Sequence, residues 1–231
     1  MFRAKDEIEE EVTHDEKGQI REKKFTRNGR MEGEYTSYYG SGQIMVHLNF
    51  RNGHREGDAV SYYRNGQVRE RGTFKNDKLD GEYVSYHENG QTREKEFYKE
   101  GKPDGRYTLF FTTGQVREIE NYREGKLDGD YICYYKSGQV KEKGRFVSDK
   151  RDGDYAAYYK NGRVKEKASF RNGKLEGKFL SFNMDDPTNR EDSQEEDLSA
   201  FADEDRLRDK EKIVDDLFRN LANFEKEEKG K

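Results

Sequence analysis

The residues best suited to catalysis or metal binding in this 231-residue chain are four histidines, one cysteine and a recurring aspartate. His14, His47, His54 and His87 follow no metal-ligand spacing and read as scattered surface side chains. Cys133 falls 24 residues before Ala157 and twice that distance after Ser85, so it occupies a column of small residues, as a packed position would. A reactive thiol would need an electropositive, accessible setting that nothing here supplies. Asp80, Asp104, Asp128 and Asp152 recur every 24 residues, each followed by glycine, which is turn chemistry. Too few acids surround each one to cage calcium. No phosphate-cradling loop and no G-x-S-x-G elbow occurs. The expectation is a protein with no catalytic residues, no metal and no cofactor, and so not an enzyme.

Two other columns carry recognition chemistry. Arg69, Arg93, Arg117, Lys141 and Lys165 repeat at the same interval, as do Tyr83, Tyr107, Tyr131 and Tyr155. Tyrosine and arginine dominate protein-interface hot spots, so Tyr83, Tyr107, Tyr131, Tyr155, Arg69, Arg93, Arg117 and Lys141 form a candidate partner-binding face. Such a pairing also suits stacking on single-stranded nucleic acid. However, Glu70, Glu94, Glu118, Glu142 and Glu166 stand directly beside the cations, and residues 1–184 carry a net charge of only +4. That field is weak for a nucleic-acid domain, which disfavours this class. Binding to a membrane surface or anionic lipid stands as the alternative, although the charge alternates where a lipid-binding segment would cluster it. A protein partner, its identity open, is the leading expectation.

The elements that must position these columns are punctuated by glycine. Gly33, Gly57, Gly81, Gly105, Gly129, Gly153 and Gly177 are each 24 residues apart, and Gly18, Gly42, Gly66, Gly90, Gly114, Gly138 and Gly162 keep the same step. Two ladders in phase mark an array of one supersecondary unit. Each unit holds two strand-like runs, such as Asp58–Tyr63 and Gln67–Phe74. Between them Arg64-Asn65-Gly66 suits a three-residue hairpin loop, a type I turn closed by a left-handed residue. A second loop, such as Lys75–Gly81, returns the chain. Strand, turn, strand and loop, repeated, make an antiparallel meander.

Pairing Tyr63 with Gln67 sets Tyr62 against Val68 and Val60 against Glu70. One face then stacks Tyr38, Tyr62, Tyr86, Phe110, Tyr134, Tyr158 and Phe182 with Ile44, Val68, Thr92, Val116, Val140 and Val164 and with the strand-ending aromatics Phe50, Phe74, Tyr98, Tyr122, Phe146 and Phe170. The other face carries the Tyr83 column, the small residues and the basic column. A one-residue slip would exchange the two sets.

The elements G-x-Y-x-x-Y-Y-x-x-G-Q-V and F-x-x-G-K-x-D-G resemble the variant MORN repeat of bacterial proteins, including the YwqK-type antitoxin family. The resemblance covers His14–Asn183. It implies an all-β fold, an elongated, single-layer antiparallel meander of about seven 24-residue β-hairpin repeats. It also implies a scaffold role, with an antitoxin or immunity function as one form. Ala59 in place of the first tyrosine, Thr92 in place of valine, and Asp77 and Asp149 in place of the loop glycine depart from the pattern.

Composition agrees with a thin repeat. Apolar residues are 30% and charged residues 41%, values that alone suggest disorder, but 16 Tyr and 14 Phe argue for aromatic stacking. One cysteine, no visible signal peptide and no apolar run of membrane-spanning length lead to a cytoplasmic expectation. The chain divides into a charged N-terminal segment 1–13, the repeat array 14–183, a turn-rich linker 184–192 and a C-terminal helical segment 193–231. Ser193-Gln194-Glu195-Glu196 matches a capping box. Leu207, Val214, Leu217, Phe218, Leu221 and Phe224 follow at spacings of an amphipathic α-helix. Such a helix must dock, either capping the open end of the array, folding back on a sheet face or meeting another copy or partner. Residues 185–231 hold 17 Asp+Glu against 9 Lys+Arg, a net of −8.

Overall fold

The computed structural model describes residues 7–184. The helix expected over 193–231, with Leu207 through Phe224, lies outside the described residues. Within them every regular element is a strand, and the pairings are antiparallel, each between consecutive strands or across one intervening two-residue strand. The chain forms two compact units, one comprising residues up to 101 with 105–119, the other 102–104 with those from 120 onward.

One repeat of the first unit shows how the sequence dictates the fold. The strands Gly57–Tyr62 and Val68–Lys75 form the long hairpin. The Tyr63 amide donates to the Gln67 carbonyl and the Gly66 amide to the Tyr63 carbonyl, with Gly66 at φ 83°. This is the expected three-residue loop, and glycine is required there because a side chain would strain the left-handed backbone. After Lys75 the chain reverses over Asn76 and Asp77, both with positive φ, into the two-residue strand Lys78–Leu79. Asn and Asp tolerate that conformation better than other residues with side chains. The next repeat then opens with Gly81–Tyr86, which pairs back on Val68–Lys75.

The register departs from the expectation at one residue. Tyr62 does pair with Val68, but Ser61 then pairs with Glu70, Val60 with Arg71, Ala59 with Gly72 and Gly57 with Phe74. Arg69 is an extra residue, a β-bulge, and the same shift recurs in the other hairpins, for example between Cys133 and Tyr134 and between Ala157 and Tyr158. Because side chains alternate with period two, this single insertion swaps the faces of everything beyond it. The strand-ending aromatics therefore lie with the Tyr83 column, opposite the Tyr62 and Val68 columns.

The face that gains them is the buried one. Phe74, Leu79, Tyr83 and Tyr98 pack there in the first unit, and Leu127, Tyr131, Phe146, Tyr155 and Phe170 in the second. Tyr83 meets Tyr98 edge to face at 6.1 Å between centroids, and Tyr131 meets Phe146 at 5.1 Å. Burying each such side chain contributes about 1.5–3 kcal/mol. Leu79 on the short strand covers Gly72, where a Cβ would lie only 2.9 Å from its Cδ2. In the second unit the place equivalent to Leu79 and Leu127 is held by Arg151, whose guanidinium carbon lies 4.8 to 5.8 Å from the rings of Tyr155, Phe170, Phe146 and Tyr131. Four aromatic faces thus surround a largely buried cation.

Candidate functional site

The four tyrosines expected on a partner-binding face, Tyr83, Tyr107, Tyr131 and Tyr155, are all buried, with exposures of 1 to 7%. The bulge brings the strand-ending aromatics onto their face, which makes that face the core. The hydroxyls of Tyr83, Tyr107 and Tyr155 meet a column of glutamates projecting from the neighbouring long strand. Tyr83 Oη donates to Glu70 Oε2 at 2.8 Å, Tyr107 to Glu94 at 3.4 Å and Tyr155 to Glu166 at 3.1 Å, as Tyr35 does to Glu22 at 3.2 Å. Ser61 completes the first site by donating to Glu70 Oε1 at 2.8 Å. Glu96 and Glu120 add a second set, each taking a bond from the tyrosine two residues on, Tyr98 at 2.8 Å and Tyr122 at 2.7 Å. Burial first, and the adjacent carboxylates second, hold the phenols of Tyr83, Tyr98 and Tyr155 well above the usual tyrosine range. They are fixed donors, and their role is structural.

The bulge residues are the expected basic column. Arg93 donates from Nε to Ser85 Oγ at 3.0 Å and from Nη2 to Glu94 at 2.9 Å, so its head is drawn onto the same glutamate that Tyr107 bonds. Lys165 lies 2.7 Å from Glu166 in the same way, and Arg69 lies 3.9 Å from Glu70. Arg69 and Arg93 are half-buried, whereas Arg117 and Lys141 are exposed. The structure thus places Arg69, Arg93 and Lys165 beside glutamates at the margin of the core.

The opposite face, which is half-exposed, carries three rows running across the strands. Nearest the hairpin turns, Tyr38 pairs with Ile44, Tyr62 with Val68 and Tyr86 with Thr92. The middle row of the first unit reads Lys23, Thr36, His47, Val60, Arg71, Val84, Lys95 and Thr108, each paired with the next. One basic residue therefore recurs every second strand, about 9–10 Å apart. The third row places Glu34, Asp58 and Glu82 beyond the cations, and Glu82 lies 3.8 Å from Arg71. The second unit repeats the scheme with Tyr134 on Val140 and Tyr158 on Val164, then Lys143 and Lys167, then Asp130 and Asp154. Lys143 reaches over the Tyr158 ring at 5.9 Å.

Backbone geometry absorbs the recurring aspartates. Asp80 accepts the Glu100 amide at 3.1 Å, and Asp152 the Asn172 amide at 3.0 Å, in each case at the tight turn of the following repeat. The second tyrosine of each pair links repeats as well, as Tyr63 Oη donates to the Tyr86 carbonyl at 2.7 Å. Cys133 is buried. His47 Nδ1 lies 3.2 Å from Thr36 Oγ1, and His54 Nδ1 lies 2.6 Å from Asp77.

Six stretches of this chain, residues 31–52, 55–76, 79–100, 103–124, 127–148 and 151–172, match the family described as MORN repeat variant. The chain belongs to that family. Each match spans the first long strand, the three-residue loop and the bulged second strand, the parts that build both faces. No curated protein matches the chain. Among solved structures, a TarM mutant from S. aureus in complex with fondaparinux is 12% identical, with a TM-score of 0.24 over 52% of this chain and 19% of that one. The GtfA/B complex bound to UDP and GlcNAc is 13% identical, with a TM-score of 0.20 over 59% and 24%. A porin-like protein from Bacteroides uniformis is 9% identical, with a TM-score of 0.20 over 74% and 87%. The chain spans a quarter or less of the first two structures, and likenesses this remote bear on nothing further.

The middle basic row and the buried glutamates are the residues that sequence reasoning missed. One signal pointed to them. Val46 and Leu48 stand in the columns of Glu70 and Gly72, and both are buried. Apolar residues in those two columns marked the face as interior.

Proposed function

We propose that this MORN-repeat chain is a non-catalytic protein-binding module of the cytoplasm, and that its contact surface is the half-exposed face of the first unit. The observation that carries the reading is the registered set of three rows: Tyr38, Tyr62 and Tyr86 beside Ile44 and Val68, then Lys23, His47, Arg71 and Lys95, then Glu34, Asp58 and Glu82. A protein surface with an apolar ridge flanked by acids and then bases matches it row for row, and aromatic and arginine side chains are the usual anchors of such contacts. The acidic row beside the cations weighs against a plain anionic membrane, which offers one sign of charge only. The resemblance to YwqK-type antitoxins implies the finer reading that this partner is a toxin protein.

The test is quantitative capture from native cells with the wild-type chain and with Tyr62→Ala/Tyr86→Ala and Arg71→Glu variants. A specific partner retained by the wild type and lost by both variants is expected. Salt-sensitive flotation with anionic vesicles, abolished by Arg71→Glu, would replace the reading by a lipid one. Turnover of a nucleotide or ester that disappears on a single substitution would end it.

A further inference from the structure

We propose, building on the protein-binding reading of this face, that the first unit holds its partner through an anchor centred on Phe97. The anchor takes an acidic segment in which one large apolar side chain stands between carboxylates. Phe97 is 47% exposed. The equivalent residues of other repeats include Asn49, Thr73, Asn121 and Ser169. Those side chains bond to the neighbouring strand. Asn49 and Asn121 donate to the carbonyls of Asp58 and Asp130, and Thr73 and Ser169 donate to the carboxylates of Asp58 and Asp154. A phenylalanine can do neither. The residue beside it departs from the repeat as well. Lys95 pairs with Thr108, and the same register two residues further on sets Arg106 beside Phe97. Arg106 stands in the column that Glu34, Asp58, Glu82, Asp130 and Asp154 make acidic. Gly105 adds no side chain there, and a Cβ on it would lie 3.5 Å from that of Phe97. One flank of the exposed ring is therefore open and lined by a cation.

The N-terminal repeat contains the same Lys-x-Phe spacing with its charge already met. Phe25 pairs with Glu10, and Lys23 Nζ lies 2.8 Å from Glu10 and 5.3 Å from the Phe25 ring centroid. Phe97 pairs with Glu82 in the same way, but Glu82 lies 3.8 Å from Arg71 instead. Lys95, Lys99 and Arg106 are exposed and form no ion pair among the described residues. Carboxylates are what this patch lacks. Lys95, Phe97 and Lys99 occupy alternate positions of one strand, so the two lysines stand about 13 Å apart with the ring midway. An extended segment laid alongside presents its own alternate residues at the same interval. The pattern acid-x-apolar-x-acid then meets Lys-x-Phe-x-Lys one for one. The positive area is only about 10 Å wide, one repeat, because Glu82 and Asp58 continue the acidic row on its other side. An anionic membrane or a polyphosphate would meet those acids too. Successive bases would also find no second ring, since Thr73 holds the equivalent place in the preceding repeat. A short acidic peptide segment meets neither obstacle.

The experiment is an NMR titration of the full-length chain with the peptide Ser-Glu-Ser-Phe-Ser-Glu-Ser, and with counterparts carrying Lys for Glu or Ser for Phe. Expected are amide shifts centred on Lys95, Phe97, Lys99 and Arg106, with affinity about 10-fold lower for either counterpart. Phe97→Thr should weaken the first peptide by about the same factor, and the array already accepts threonine at Thr73. Lys95→Glu/Lys99→Glu should reverse the preference, so that the Lys-bearing peptide binds the more tightly. No shifts, or shifts elsewhere on the face that Phe97→Thr leaves unchanged, would overturn the proposal. So would binding of phosphatidylserine vesicles or oligothymidylate that Phe97→Thr abolishes while the acidic peptide stays unbound. Capture from native cells separates this anchor from the wider reading. The partner should be lost by Phe97→Thr as it is by Tyr62→Ala/Tyr86→Ala. A partner kept by Phe97→Thr and lost by the tyrosine variant would remove the anchor and leave protein binding standing. A partner kept by every variant would remove both.

Discussion

Both faces of each hairpin carry charged residues, but they treat them in opposite ways. On the buried face, Glu70 takes bonds from Ser61 and Tyr83, and Glu96 and Glu120 from Tyr98 and Tyr122. Each of these carboxylates accepts a hydroxyl from within the core. On the half-exposed face, Arg71, Lys95, Asp58 and Glu82 are sorted into rows by sign and left open to water or a partner. A charged residue is thus no guide to surface in this protein. What decides is which side of the Arg69 bulge it follows, and how far.

The comparison is broken most severely by removing an aromatic from the buried face. Phe146→Ala should cost about 3–5 kcal/mol, read from chemical denaturation, because Phe146 is almost wholly buried against Tyr131 and Arg151. Glu70→Ala comes next, at about 2–3 kcal/mol, since it strands two buried donors. The sharper version is Glu70→Val with Ser61→Ala and Tyr83→Phe, which removes donors and acceptor together and should recover most of that loss, as Val46 already fills the same column in another repeat. If the triple variant is no better than Glu70→Ala, the buried glutamates do more than satisfy hydroxyls.

Alkaline titration gives a smaller, continuous effect. Burial and nearby carboxylates raise the folded-state phenols of Tyr83, Tyr98 and Tyr155 above the unfolded value of about 10. Above that pH the unfolded chain releases protons that the folded chain retains, so stability is complete below pH ~10 and falls as pH rises beyond it. Denaturation followed at pH 8, 10 and 11 should show the decline, and Tyr83→Phe should reduce its slope. On the half-exposed face the expected change is least. Tyr62→Ala with Arg71→Glu should shift stability by about 1 kcal/mol or less while removing partner binding. A larger loss of stability would mean that this face too is structural.

Much of the fold was legible because its determinants are local. Gly66 and its equivalents fix a three-residue loop, and the loop fixes the Tyr62–Val68 pair beside it. The alternation beyond that pair was read one residue out, because nothing in the type of residue at 69 distinguishes a bulged arginine from an ordinary solvent-facing one. That one position brought Phe74 and the other strand-ending aromatics onto the face of Tyr83, Tyr107, Tyr131 and Tyr155, and so made a core of the supposed binding face. It also concealed the row His47, Arg71 and Lys95, whose pairing with Thr36, Val60 and Val84 emerges only once the register is known. The buried glutamates were illegible for a related reason. Glutamate is rarely interior, and its partners come from residues 9 and 13 positions away in the chain.

The bonds between neighbouring repeats reach forward by nearly constant steps: 20 residues from Asp80 to Glu100, 22 from Arg55 to Asp77 and 23 from Tyr63 to Tyr86. Every one is shorter than the 24-residue period. An in-frame duplication of one period, begun at any residue, therefore delivers a complete set of hydrogen-bond partners to the copy before it and to the copy after it. No junction needs repair by a second mutation. The gene can lengthen or shorten by whole modules in a single recombination event, and the number of modules becomes a quantity that selection adjusts directly to the size of whatever the protein must span.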